Sequence, residues 1–220
     1  MLCVAAGLLF SCEKDELTQP VQVHFRMKLD KMGAEDQPVS FHEGMIDIES
    51  IEFTGDRETG EDITFTSDFQ PIVRADLTTG NTDPVVIFDV PQGTYKKITL
   101  SLNPVKIEPD ISVRGKFIPP LLGPAIPIQL DVNIPGQLNL LVKTASGDSQ
   151  IVLTKGKDAT IEVFLNPSSW FKEIPATALL AANLQTIGGV PSIVISKNSN
   201  PNMYFKLTSA IEASAEAILK

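Results

Sequence analysis

Residues 20–30, PVQVHFRMKLD, put Val21, Val23, Phe25, Met27 and Leu29 at every second position, with Gln22, His24, Arg26 and Lys28 between them. Successive side chains of a strand point to opposite faces, so this period commits the segment to a β-strand with one apolar face and one wet face. A helix would spread the same five apolar residues around its whole circumference. The segment therefore needs neighbouring strands, and the rest of the chain supplies candidates.

Residues 31–44 are polar and interrupted by glycine and proline, which predicts a long loop. In residues 45–54, Ile46 and Ile48 share one phase while Ile51 and Phe53 are one residue out, which predicts a β-bulge near Glu49 and Ser50. GDRETG at 55–60 reads as a turn into a return strand beginning at Ile63. Further strands are expected at 72–77, 85–90, 97–102, 111–118 and 126–134. Pro91 and Gly93 supply the turn chemistry between two of them. Leu138, Leu140 and Val142 alternate before ASGD at 145–148, and 150–154 is expected to return as a hairpin. KGKD at 155–158 predicts a second hairpin into Ile161, Val163 and Leu165.

Beyond Asn166 and Pro167 the period changes. PATALLAANL at 175–184 predicts a helix that stops at Gly188 and Gly189, and 190–196 predicts one more strand. Asn200 and Pro201 form a capping signal. Tyr204, Leu207, Ile211, Ala215 and Ile218 then recur at helical spacing, with Glu216 and Lys220 placed to pair on the wet face. Many short strands separated by turns and without intervening helices predict a mainly β fold, an antiparallel β-sandwich with a helical C-terminal appendage. The expected organisation is a leader over 1–11, a tether over 12–19, the sandwich over 20–166 and a helix–strand–helix appendage over 167–220.

The first ten residues, MLCVAAGLLF, are uncharged and apolar. They are too few to cross a bilayer, which takes about 20 residues in a helix, but they suit the apolar region of a secretory signal. Leu-Phe-Ser-Cys at 9–12 resembles a lipobox, which implies cleavage before Cys12 and acylation of its thiol. The alternative is a buried N-terminal element, which the abrupt change to EKDE at 13–16 disfavours. No cation precedes the apolar run, so a start upstream is expected. Two or more acyl chains hold durably, each buried CH₂ being worth about 0.8 kcal/mol. The EKDE run resembles the acidic export tag of lipoproteins facing outward on the outer membrane of Bacteroidota.

Cys3 and Cys12 are the only cysteines, so a mature domain built this way would hold together through its core rather than through disulfides. The formal charge of −9 argues against nucleic acid, whose phosphates want a basic face.

FDVPQGTYKKITLSL, LTKGKDATIEVFLNP with the following SSWF, and SIVISKNSNPNMYFKLTSAIEAS resemble segments of Bacteroidota lipoproteins. Those proteins carry a transthyretin-like (prealbumin-like) β-sandwich domain of unknown function. The resemblance implies a transthyretin/Ig-like sandwich and outer-membrane anchoring. Its motifs are turns and strand ends, so it carries over no functional residue.

The chain has no glycine-rich phosphate loop, G-x-S-x-G elbow or H-E-x-x-H pair. His24 and His42 are the only histidines. With nearby Met45 they could hold copper or zinc, although their spacing is not a metal signature. Asp47, Glu49 and Glu52 could meet at the bulge as a carboxylate site for a hard cation or for hydrolysis, or simply lie on a solvated face. The turn acids Asp56, Glu58, Glu61 and Asp62 lack the EF-hand spacing. Trp170 and Phe171 read as a core anchor before a ligand platform. FIPPLLGPAIPI at 117–128 is uncharged and carries four prolines, which bar it from a central strand. Its Pro119, Pro120, Leu121 and Leu122 are the candidate contact residues if the segment is exposed, and a packed crossover if it is not. Together these features favour a non-catalytic binding module for a protein or glycan, with no cofactor beyond a lipid on Cys12. A metal-binding domain and a carboxylate hydrolase are the rivals.

Overall fold

The computed structural model describes residues 18–30, 38–106, 109–120 and 123–220. The expectations for the leader and for Cys12 lie outside these residues, as do Leu121 and Leu122. The protein is mainly β. Its strands are β1 (Pro20–Leu29), β2 (Val39–Arg57), β3 (Ile63–Asp76), β4 (Thr82–Asp83), β5 (Ile87–Pro91), β6 (Gly93–Pro104), β7 (Ile111–Phe117), β8 (Ile126–Val132), β9 (Leu138–Thr144), β10 (Ile151–Leu153), β11 (Ala159–Leu165), β12 (Leu184–Ile187), β13 (Val190–Ile195) and β14 (Glu216–Leu219). The helices among the described residues are α1 (Pro167–Trp170), α2 (Ala176–Leu180) and α3 (Pro201–Ser214).

The strands form one mixed 14-stranded sheet ordered β12-β13-β8-β7-β2-β6-β9-β14-β11-β1-β5, with β3 on β2, β4 on β3 and β10 on β6. The far end of this path curls back. The Phe25 amide donates to the Val86 carbonyl at 3.0 Å and the Leu29 amide to the Leu77 carbonyl at 2.8 Å. Leu77 lies just beyond β3, and Val86 immediately precedes β5, whose pairing with β1 the Phe25 bond extends. The curled sheet closes on one apolar cluster that includes Phe25, Met27, Phe53, Phe117 and Trp170, each at most 2% exposed. A large side chain buried this fully contributes about 1.5–3 kcal/mol.

β1 buries Val21, Val23, Phe25, Met27 and Leu29, the five residues its period singles out. The bulge is also present, as a register shift between Ile48 and Ser50. β2 starts earlier than expected, at Val39 rather than after Gly44. A second bulge explains why the sequence hides this start. Phe41 pairs with Gly115 and Glu43 with Arg114, so His42 is an extra residue that breaks the alternation. A Cβ on Gly115 would lie 2.0 Å from the Ser40 carbonyl oxygen, so only glycine allows the bulged strand this close.

Three expectations need correction. The sheet is not purely antiparallel, because β1 with β11, β8 with β13 and β9 with β14 are parallel pairs between segments distant in the chain. The turn after β9 does not make a hairpin. β9 and β10 both run antiparallel to β6 along one side of it, and residues 145–150 loop out of a line that keeps its direction. β11 then leaves β10 altogether and pairs with β1 and β14.

The C-terminal segment also joins the sheet. The helix expected at 175–184 stops at Leu180, and Leu184–Ile187 forms β12, a hairpin partner of β13 around Gly188 and Gly189. α3 starts at Pro201 and buries Met203, Tyr204, Leu207 and Ile211, but it ends at Ser214. Residues 216–219 become β14, inserted between β9 and β11. Glu216 and Lys220 therefore do not pair with each other. Glu216 takes Lys143 at 3.3 Å, and Lys220 bonds Glu162.

The two ends of β2 carry different neighbours. At one end Arg57 donates to the Gln92 carbonyl at 2.8 Å, and the Gln92 amide donates to the Gln19 carbonyl at 2.8 Å, so the chain enters the fold there. At the other end Val39 pairs with Phe117, immediately before the proline-rich segment.

Candidate functional site

The proline-rich segment joins β7 to β8, and its prolines keep it out of the ladder until Ile126. Pro119, Pro120, Gly123, Pro124 and Ile126 form one wall of an apolar cavity of about 470 Å³, closed by Ala176, Thr177 and Leu180 of α2. Side chains alternate along the strand that follows, so Ala125 and Pro127 turn the other way. They line a second cavity of about 470 Å³ with Ile128, Ile187, Ser192 and His42. One short stretch thus serves two apolar hollows.

β12 borders this corner. It is the edge of the sheet, bonded only to β13. Around it Ile118, Leu180, Leu184 and Val190 are 47%, 51%, 53% and 49% exposed. A four-residue edge strand, with Leu184 and Ile187 at its ends and its outer amides and carbonyls unpaired by other strands, is a surface that another chain can extend. Arg114 and Glu43 rim the second cavity as an exposed ion pair at 3.7 Å.

The other candidates fall elsewhere. His24 sits half-buried on β1, opposite Thr160 of β11 and Ile87 of β5. His42 projects from the bulge of β2, which pairs with β3, β6 and β7. No strand pairing brings the two histidines side by side. Among the described residues no group of three or more His, Cys, Asp or Glu is placed to hold a metal ion.

Asp47 is taken by Arg74, whose Nε and Nη2 donate to its two carboxylate oxygens at 2.7 and 2.8 Å. That hydrogen bond, with the charge of Asp47, raises the Arg74 pKa. Glu52 lies between Thr66 and Ser101, so the acidic string does not converge on one point. Of the turn acids, Asp62 accepts from the Arg57 amide at 2.8 Å. Trp170 is 1% exposed, packs against Phe41 at 5.9 Å and donates its indole N–H to Ser214 at 2.8 Å. It anchors α1 to the end of α3.

Sequence reasoning missed a polar cleft of about 460 Å³ where α1 and the end of α3 meet the outer face of β9, β11 and β14. Asn139, Leu141, Lys143, Phe164, Asn166 and Ser169 are among its lining residues. The Asn166 Oδ1 is buried without a hydrogen-bond partner, although the residue stands at the start of α1 where an asparagine ordinarily caps.

Compared with known proteins, the chain matches no family model, no curated protein and no solved structure.

Proposed function

We propose that this protein is a lipid-anchored, outward-facing binding module of the outer membrane, acylated at Cys12, that holds a protein partner at its apolar corner without catalysis. The observation that carries this reading is the exposure of Ile118, Leu180, Leu184 and Val190 near an edge strand paired on one side only and two apolar hollows. Isolated apolar side chains are ordinary on a surface, whereas several exposed ones beside a free edge strand and two apolar hollows favour a contact. Two features support the anchoring. The leader-like run ends on Cys12, and residue 19 enters the fold at the end of β2 opposite the corner. A tether there holds the corner away from the lipid. We further propose that the mixed sheet is a β-sandwich of transthyretin/Ig-like type, as in the lipoproteins that parts of the chain resemble. Support comes from the curl of the strand path, which brings Phe65 of β3 within 5.9 Å of Phe88 of β5.

The test is photo-crosslinking on intact cells from residue 184 at the corner and from residue 58 at the opposite end, with fatty-acid labelling of the same protein. A discrete adduct from residue 184 alone, and a label lost in Cys12→Ala, are expected. Equal adducts from both positions would refute the corner, and a label that survives Cys12→Ala would refute the anchor.

A further inference from the structure

We propose that the polar cleft between α1, α3 and the outer sheet face binds a neutral polyhydroxylated ligand, a hexopyranose unit of a glycan. The site is independent of the apolar corner, which lies on β8, β12 and α2.

Leu141, 52% exposed, supplies the apolar part of the floor. Phe164 faces Glu216 across the β11–β14 pair and has the Lys28 and Lys220 ammonium groups 5.0 and 5.3 Å from its ring centre. The strands of Leu141 and Phe164 are neighbours of β14, so the two side chains flank a single strip. The rim carries both kinds of hydrogen-bonding group. Asn139 uses its Oδ1 to accept from Ser101 at 2.7 Å, which leaves its amide hydrogens for a ligand. Ser169 donates to the Asn166 carbonyl at 2.8 Å and keeps lone pairs to accept with. Lys143 and Glu216 are more than half exposed and paired at 3.3 Å, so they offer a donor and an acceptor with no net charge between them. Asn166 also lines the cleft, but its unpartnered Oδ1 is buried beneath the surface.

This combination selects among ligand classes. An anion would need unpaired cations, but Lys143 is held by Glu216, and Lys28 and Lys220 by Glu162. A cation would need free carboxylates, but Glu216 is held by Lys143, and Asp30, which also lines the cleft, is engaged within the protein. A purely apolar ligand would strip water from the exposed Asn139 amide without replacing it, which costs binding. A sugar ring presents hydroxyls that both donate and accept around its edge and C–H groups on its face, which suit this rim and this floor. The volume, about 460 Å³, lies within the usual range for small-ligand pockets.

The experiment titrates the folded protein with cellobiose, maltose and lactose and follows backbone amide shifts by NMR. Saturable shifts at residues 139, 141, 164 and 169 with at least one disaccharide are expected, unchanged in Leu184→Lys at the corner. Asn139→Ala changes an exposed residue on the outer face, so the fold should survive. Its affinity is expected to fall about tenfold, one hydrogen bond's worth. Ser169→Ala is the second variant and should also weaken binding. Absence of saturable shifts with all three sugars would overturn the proposal, as would shifts that persist undiminished in both variants.

Discussion

Replacing Gly115 by alanine tests whether the bulge at His42 builds the wall of the apolar corner. Alanine's Cβ would sit 2.0 Å from the Ser40 oxygen, 2.8 Å from its carbonyl carbon and 2.9 Å from the Phe41 Cα. All three atoms are backbone, so no side chain can swing aside. Restoring an ordinary contact needs the strands to separate by about 1 Å or more, which stretches the adjacent β2–β7 hydrogen bonds beyond useful length. Two such bonds are worth about 1–3 kcal/mol together. Loosened packing of Val39, Phe41 and Phe117, all buried in the core, adds a comparable cost. The expected loss is about 3 kcal/mol, which for a chain of this size lowers Tm by roughly 6–12 °C. Thermal unfolding followed by far-ultraviolet circular dichroism measures it. Lys116→Ala, exposed on the same strand, serves as the control and should stay within about 0.5 kcal/mol of the parent. A Gly115→Ala protein as stable as that control would refute the close approach, and with it the account of how His42 is pushed outward.

Two further outcomes are expected. Tyr95 is fully buried, donates its hydroxyl to the Pro91 carbonyl at 2.5 Å and lies 5.8 Å from Arg57. Burial pushes its pKa up to about 12 against the opposing pull of Arg57, so it stays neutral across the working range. Tyr95→Phe should cost about 1–2 kcal/mol in chemical unfolding by orphaning that carbonyl, and no measurable loss would refute the bond. For Glu162, burial pushes the pKa up, but hydrogen bonds from Lys220 and Lys28 outweigh it and the carboxyl titrates below its ordinary 4.5. Its contribution is thus complete above the unfolded value and lost as pH falls through the folded one. Glu162→Gln should cost about 1 kcal/mol at neutral pH and flatten the acid limb of stability against pH. An unchanged acid limb would show that the network is not engaged.

Local periodicity carried β1, the bulge at Ile48–Ser50 and the start of α3, because each is written in consecutive residues. The same logic failed where distant partners decide. ASGD at 145–148 has turn chemistry, and the chain does loop there, but only β6 running alongside both β9 and β10 shows that the loop does not reverse direction. Ala215 and Ile218 continue the phase of α3, yet Ala217 is fully buried as a strand residue between Val163 and Val142. Propensity yielded to an opening in the sheet that only tertiary structure creates. Asn200 reads as a cap, but its φ is +54° and its side chain ties Asn183 to Val194 instead.

The two candidate surfaces differ in legibility for the same reason. Pro119 and Pro120 were visible because an uncharged, proline-rich run is anomalous by itself, and a contact surface made from one run needs no partner to be noticed. Asn139, Phe164 and Ser169 are each unremarkable: a wet strand residue, an aromatic on a strand, a serine near a helix start. They become a cleft because β14 enters between β9 and β11 in parallel with β9, while Trp170 fastens α1 to Ser214 at the end of α3. A polar site assembled from separate segments leaves no local period to read. Its signature is the register of long-range pairs, and a one-residue slip of β14 on β9 would turn Glu216 inward and remove the ion pair that balances the rim.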